Sequence, residues 1–101
     1  MAIRDWAFIA LGNGGESAEG ERVEVDLDGL RSRFVVVPDA AAAASVAVEL
    51  AGAGIQTLEL CGAFTAADVA AIRDATAGRL PVGCVLYGAD SVAAFAALLE
   101  D

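Results

Sequence analysis

The sequence predicts a single α/β domain, in which a mainly parallel sheet is threaded with helices. Three observations carry that prediction. Short apolar runs alternate with alanine-rich helical stretches three times in succession between Arg33 and Leu99. Glycine, proline or a capping residue separates each run from the next. The connections are short, which suits right-handed strand–helix–strand crossovers. With 101 residues, 57% of them hydrophobic, the chain can bury one modest core and is too apolar to stay disordered.

Taken in order, Trp6 to Leu11 is a nearly continuous apolar run and reads as a central strand. The segment from Asn13 to Gly20 is polar and glycine-rich and reads as a loop, either a mobile connector or a lid or anion-binding loop. Its glycines do not match a dinucleotide fingerprint. Glu21 to Leu27 alternates strictly between polar and apolar, the pattern of a half-exposed edge strand. Its carboxylates at Glu24, Asp26 and Asp28 read as a solvated side more readily than as a cation site. Arg33 to Val37 is a buried strand stopped by Pro38. Asp39 can cap a helix from Ala40 to about Ala53, closed by Gly52 and Gly54.

Ile55 to Leu60 is the next strand, followed by a helix from Ala66 to Ala77. Thr65 and Asp68 have the spacing of a capping box. Pro81 to Tyr87 is the last strand, and Gly83 inside it suggests the close approach of another backbone or a ligand. A third helix runs from about Asp90 to Leu99, with Val92, Phe95, Leu98 and Leu99 at helical spacing. The expected sheet therefore has four main strands, an extra edge strand and three helices. That is the pattern of a flavodoxin-like domain or of half a Rossmann-like one. A half-barrel is a further reading, since three units are too few to close a (β/α)8 barrel. If successive strands add in one direction, all three helices cover one face, and another subunit or the Gly12–Leu27 segment should cover the other.

Composition excludes several function classes. The net charge is −9, and all six basic residues are arginines. A field of that sign repels nucleic acid and anionic lipid. Without histidine there is no Ser-His, Cys-His or histidine–metal chemistry, and without lysine no Schiff base. The spacing of Cys61 and Cys84 matches no zinc or redox motif, so both read first as reduced, packed thiols. No apolar run approaches the ~18 residues of a membrane span. The start lacks the cationic region of a secretory signal, so a cytoplasmic location is expected. No cofactor and no metal are expected.

The stretch from Ile55 to Thr65 is where a site should lie, because ligands in open α/β sheets gather at the C-terminal ends of strands beside helix N-termini. Alternation places Thr57, Glu59 and Cys61 on one side and Leu58 and Leu60 on the other. Glu59 can serve as a general acid or base and Cys61 as a nucleophile, the two candidate catalytic residues. Gly62, Phe64 and Thr65 supply a turn whose backbone N–H groups can hold a carboxylate or phosphate, and Tyr87 and Asp90 can complete the pocket. For each residue a plain structural role is equally open. Glu59 can pair with an arginine, Cys61 can pack, Thr65 can only cap and Tyr87 can close the core rim.

The run Glu59-Leu60-Cys61-Gly62-Ala63-Phe64, with the Pro81-Val82-Gly83 strand one helix later, resembles a family of small bacterial proteins known only as a domain of unknown function. There the position of Ala63 is more often glycine. The resemblance implies an α/β fold and supplies no reaction. Two readings of function follow. One is a small-molecule-binding protein, extending to a cofactor-independent lyase, isomerase or cyclase acting on a small anionic metabolite. The other is a non-catalytic homo-oligomeric subunit or interaction module. Thin alanine-rich helices give a small core, which favours a homo-oligomer, a dimer first.

Overall fold

A computed structural model describes residues 3–100. The chain forms β1 (Asp5–Leu11), β2 (Glu21–Leu27), β3 (Leu30–Val37), α1 (Ala40–Ala53), β4 (Thr57–Leu60), α2 (Ala66–Ala75), β5 (Val82–Cys84) and α3 (Val92–Leu98). One sheet holds all the strands in the order β2-β3-β1-β4-β5. β1 runs parallel to β3 and β4, and β4 parallel to β5, while β2 is antiparallel to β3. The sheet thus has five strands and not four. The edge strand pairs with β3 along its whole length, from Glu21 opposite Val36 to Leu27 opposite Leu30. The hairpin between them turns on Asp28 and Gly29, with φ of 53° and 79°. Two successive left-handed residues are what a two-residue hairpin needs, and Asp-Gly supplies them at low strain.

Local chemistry sets the helix ends. The Asp39 carboxylate accepts the Ala42 N–H at 2.8 Å and starts α1. Gly54, at φ 103°, closes it, and the Ile55 N–H reaches back to the Leu50 carbonyl. That closure keeps Ile55 out of the strand, so β4 begins at Thr57 and is shorter than expected. In α2 the Thr65 hydroxyl accepts the Asp68 N–H at 3.1 Å and the Asp68 carboxylate accepts the Thr65 N–H at 3.0 Å. α2 stops at Ala75 because Ala77 and Gly78 take φ of 55° and 70°. β5 has three residues rather than seven, since its ladder partner β4 ends where the chain turns at Gly62.

α1 lies against β1 and β3, α2 against β5, and the two helices touch each other. The core forms between them and one sheet face, from Ala7, Ile9, Val35, Val37, Leu58, Leu60 and Val82 below and Ala43, Val46, Ala47, Leu50 and Ile72 above. Each fully buried Val, Ile or Leu contributes about 1.5–3 kcal/mol. α3 departs from expectation: it buries none of its residues, and Leu98 and Leu99 are 77% and 71% exposed. Its stripe meets Tyr87 instead of the sheet, the Phe95 and Tyr87 rings stacking at 4.3 Å. Among the described residues, no helix is long and apolar enough to cross a membrane.

The second face carries Trp6, Phe8 and Ala10 from β1, Ser32, Phe34 and Val36 from β3, and Thr57 and Glu59 from β4. β2 adds Val23, Val25 and Leu27 to this face, opposite Phe34, Ser32 and Leu30. Glu21 shares that face at the strand's start, while Arg22, Glu24 and Asp26 point to the helix side, where Arg22 makes two hydrogen bonds to Glu49 of α1 at 2.7 and 2.8 Å. The open face thus holds the apolar half of the alternation. Val23, Val25 and Leu27 are 64%, 48% and 67% exposed.

Candidate functional site

The C-terminal ends of β1 and β4 meet at the Cys61 turn. There the Leu11 N–H donates to the Cys61 Sγ at 3.4 Å, and the Cys61 N–H donates to the Ile9 carbonyl at 3.1 Å. The thiol sulfur accepts the N–H that a ladder carbonyl would otherwise take. The Cys61 carbonyl accepts instead from the Cys84 thiol at 3.4 Å. Both cysteines are free thiols, half-buried and packed against the core. Cys61 therefore finishes the strand pairing and does not project beside Glu59.

Gly62 follows in a tight spot: a Cβ there would lie 3.1 Å from the Val85 carbonyl oxygen and 3.6 Å from the Tyr87 ring, so a side chain would need the Val85 backbone to shift. Tyr87 thus reaches the turn, while Asp90 lies in the exposed turn before α3. Phe64 is 5% exposed and belongs to the core. Its N–H donates to the Cys61 carbonyl at 3.3 Å, and the Thr65 N–H is held by Asp68. Both N–H groups read from the sequence as anion donors are engaged within the chain.

The loop after β1 behaves alike. The Glu16 carboxylate accepts the N–H groups of Asn13 at 3.3 Å and Gly14 at 3.1 Å, and it lies close over Gly12. The loop's backbone cradle holds an anion, and that anion is its own side chain. Among the described residues, no group of three or more Cys, Asp and Glu is arranged to hold a metal ion.

Glu59 stands apart from the rest. It is exposed on the open face and makes no ion pair or side-chain hydrogen bond with any described residue, so it has neither the burial nor, among the described residues, the arginine partner considered for it. It sits between Phe8 of β1 and Gly83 of β5 in register. Beside it is a surface hollow of about 430 Å3, lined by Thr57, Glu59, Pro81, Gly83 and Val85 among others. A Cβ on Gly83 would meet nothing within 4 Å, so this hollow is open where a side chain would stand.

The structure thus separates the predicted site residues. Gly62 and Tyr87 meet at the turn, Phe64 and Thr65 serve the core and the helix cap, and Glu59 belongs to the other face. The exposed apolar half of β2 was missed, although its strict alternation was visible. The missing signal was the Asp28-Gly29 turn, which fixes β2 against β3 and so decides which half faces the helices. No curated protein and no solved structure matches the chain. A family model does, over residues 4–100, and the chain belongs to that family, the family of unknown function DUF6506.

Proposed function

We propose that this protein is a homo-oligomeric binding module, a dimer first, in which two copies pair through their open sheet faces. One observation carries the reading. β2 turns Val23, Val25 and Leu27 to the face without helices, with Glu21 at its end, and Arg22, Glu24 and Asp26 toward the helix side. In an isolated chain that alternation is inverted, because the apolar half of an edge strand belongs against a core. Trp6, Phe8, Phe34 and Val36 extend the same apolar surface across β1 and β3, with the Trp6 and Phe34 rings packed edge-on at 5.7 Å. Five strands ~4.8 Å apart and about six residues long cover roughly 24 × 20 Å in plan. Side-chain relief brings the accessible area toward the ~800 Å2 per partner that a stable pair buries. No strand position on this face carries an arginine, and its charged strand residues are the carboxylates Glu21 and Glu59.

The test is the mass in solution. Light scattering at micromolar concentration should give twice the chain mass. Val23→Asp with Val25→Asp should give one chain mass with an unchanged far-ultraviolet spectrum. A native monomer, or a variant that still pairs, overturns the reading.

A second reading, a small-ligand site at the strand ends, is supported by the order of the parallel strands, β3-β1-β4-β5. It corresponds to the first four strands of a flavodoxin-like sheet, with β2 in place of the first connecting helix. The direction of strand addition then reverses between β1 and β4, the crevice where Leu11 meets Cys61 and where such folds bind ligands.

A further inference from the structure

Glu59 is a carboxylate that makes no ion pair with any described residue, on a face where Trp6, Phe8 and Phe34 are its aromatic neighbours and Glu21, Ser32 and Thr57 are the other polar strand residues. On its β1 side are Trp6 and Phe8, in register with Thr57 and Glu59. On its β5 side is Gly83, whose missing side chain leaves the hollow beside the carboxylate open. Glycine within a strand weakens it and commonly marks the close approach of a ligand or another backbone. Every arginine in the five strands, Arg22, Arg31 and Arg33, lies on the helix side, and no described residue forms an ion pair with Glu59. The Arg33 guanidinium is already held by Asp5 at 2.7 and 2.9 Å.

We infer that the hollow over Gly83 takes a small organic cation, an amine with an apolar body, its ammonium on the Glu59 carboxylate. A net charge of −9 draws cations and repels anions. The aromatic rings one strand away attract an ammonium through their faces. A bare metal ion is a poorer occupant, since one carboxylate cannot supply its oxygen ligands. The inference rests in one respect on the paired-face reading: pairing would strip water from Glu59, and an uncompensated buried charge is costly unless a cation joins it.

Phenethylamine is the probe, with 3-phenylpropionate as its control of similar shape and opposite charge. Trp6, the single tryptophan, reports binding by fluorescence, and light scattering is run on the same samples. The amine should bind saturably, weaken as salt rises, and leave the carboxylate inert. Glu59→Gln should lower amine affinity by about tenfold, and Gly83→Val should abolish the response by filling the hollow, both with native mass and spectrum. Equal response to amine and carboxylate, or variants that bind like the native chain, overturns the inference. A dimer that ignores the amine at millimolar concentration sinks the cation site and leaves the pairing intact. A monomer that binds it through Glu59 does the reverse.

Discussion

Leu58 and Glu59 are adjacent in the chain and point to opposite sides of the sheet. Leu58 is 0% exposed among residues from both packed helices, whereas Glu59 stands in the open beside aromatic side chains that are only half covered. The covered face is completed by elements that follow in the same chain. The open face also carries apolar residues, among them Trp6, Phe8, Phe34 and the apolar half of β2, and no described helix covers it. Sequence alternation therefore gives the sheet two partly apolar faces, and the chain's own helices cover one of them.

The sharpest way to break the comparison is to mutate its two sides in parallel. Leu58→Ala should cost about 2–5 kcal/mol in urea unfolding, through lost transfer energy and a cavity. A loss well under 1 kcal/mol would mean that the covered face is not the core. A smaller effect is expected at the end of the helix that completes that face. Thr65→Ala removes the hydroxyl that accepts the Asp68 N–H, and should cost about 1 kcal/mol by the same measurement. If Thr65 mainly serves a ligand, stability should instead be unchanged.

The smallest effect concerns the tie between the exposed edge and the covered face. The Arg22 hydrogen bonds hold the Glu49 carboxyl below its ordinary value of 4.5. Stabilisation from a lowered carboxyl is fully present above the unfolded value and is lost as pH falls through the folded one. The pair is solvent-exposed, so the contribution is small. The urea midpoints of the native chain and Arg22→Gln should therefore differ at pH 7 and converge as the pH falls below the ordinary 4.5. A gap that is constant with pH would assign Arg22 to packing alone.

Much of the scaffold was legible because it rests on local chemistry. Asp39, Gly54 and the Thr65–Asp68 pair act within a few residues of themselves, and α1 runs over the residues read for it. The site was less legible because its residues answer to distant partners. Cys61 looked like a companion of Glu59 by alternation, but β4 ends at Leu60, and the thiol turns back to the Leu11 N–H. Phe64 looked available in a turn, yet the turn folds it beneath the helices. For Glu59, alternation gave the face but not its exposure, since exposure depends on what lies over that face. α3 failed for a related reason: its period is helical, but a stripe of Val92, Phe95 and Leu98 does not say which surface receives it.

The outer strand β5 bears on how far association can go. Its residues turned away from β4 are Val82 and Cys84, and the Val82 carbonyl is taken by the Arg73 guanidinium at 3.1 Å. Pro81 stands just before the strand, and at the opposite margin β2 holds Arg22, Glu24 and Asp26 among its residues. A guarded margin at each end discourages one sheet from extending into the next. Copies joined side by side could add without limit and grow into filaments, whereas copies joined face to face are finished at two. The guanidinium on a single carbonyl thus weighs against open-ended growth along the sheet.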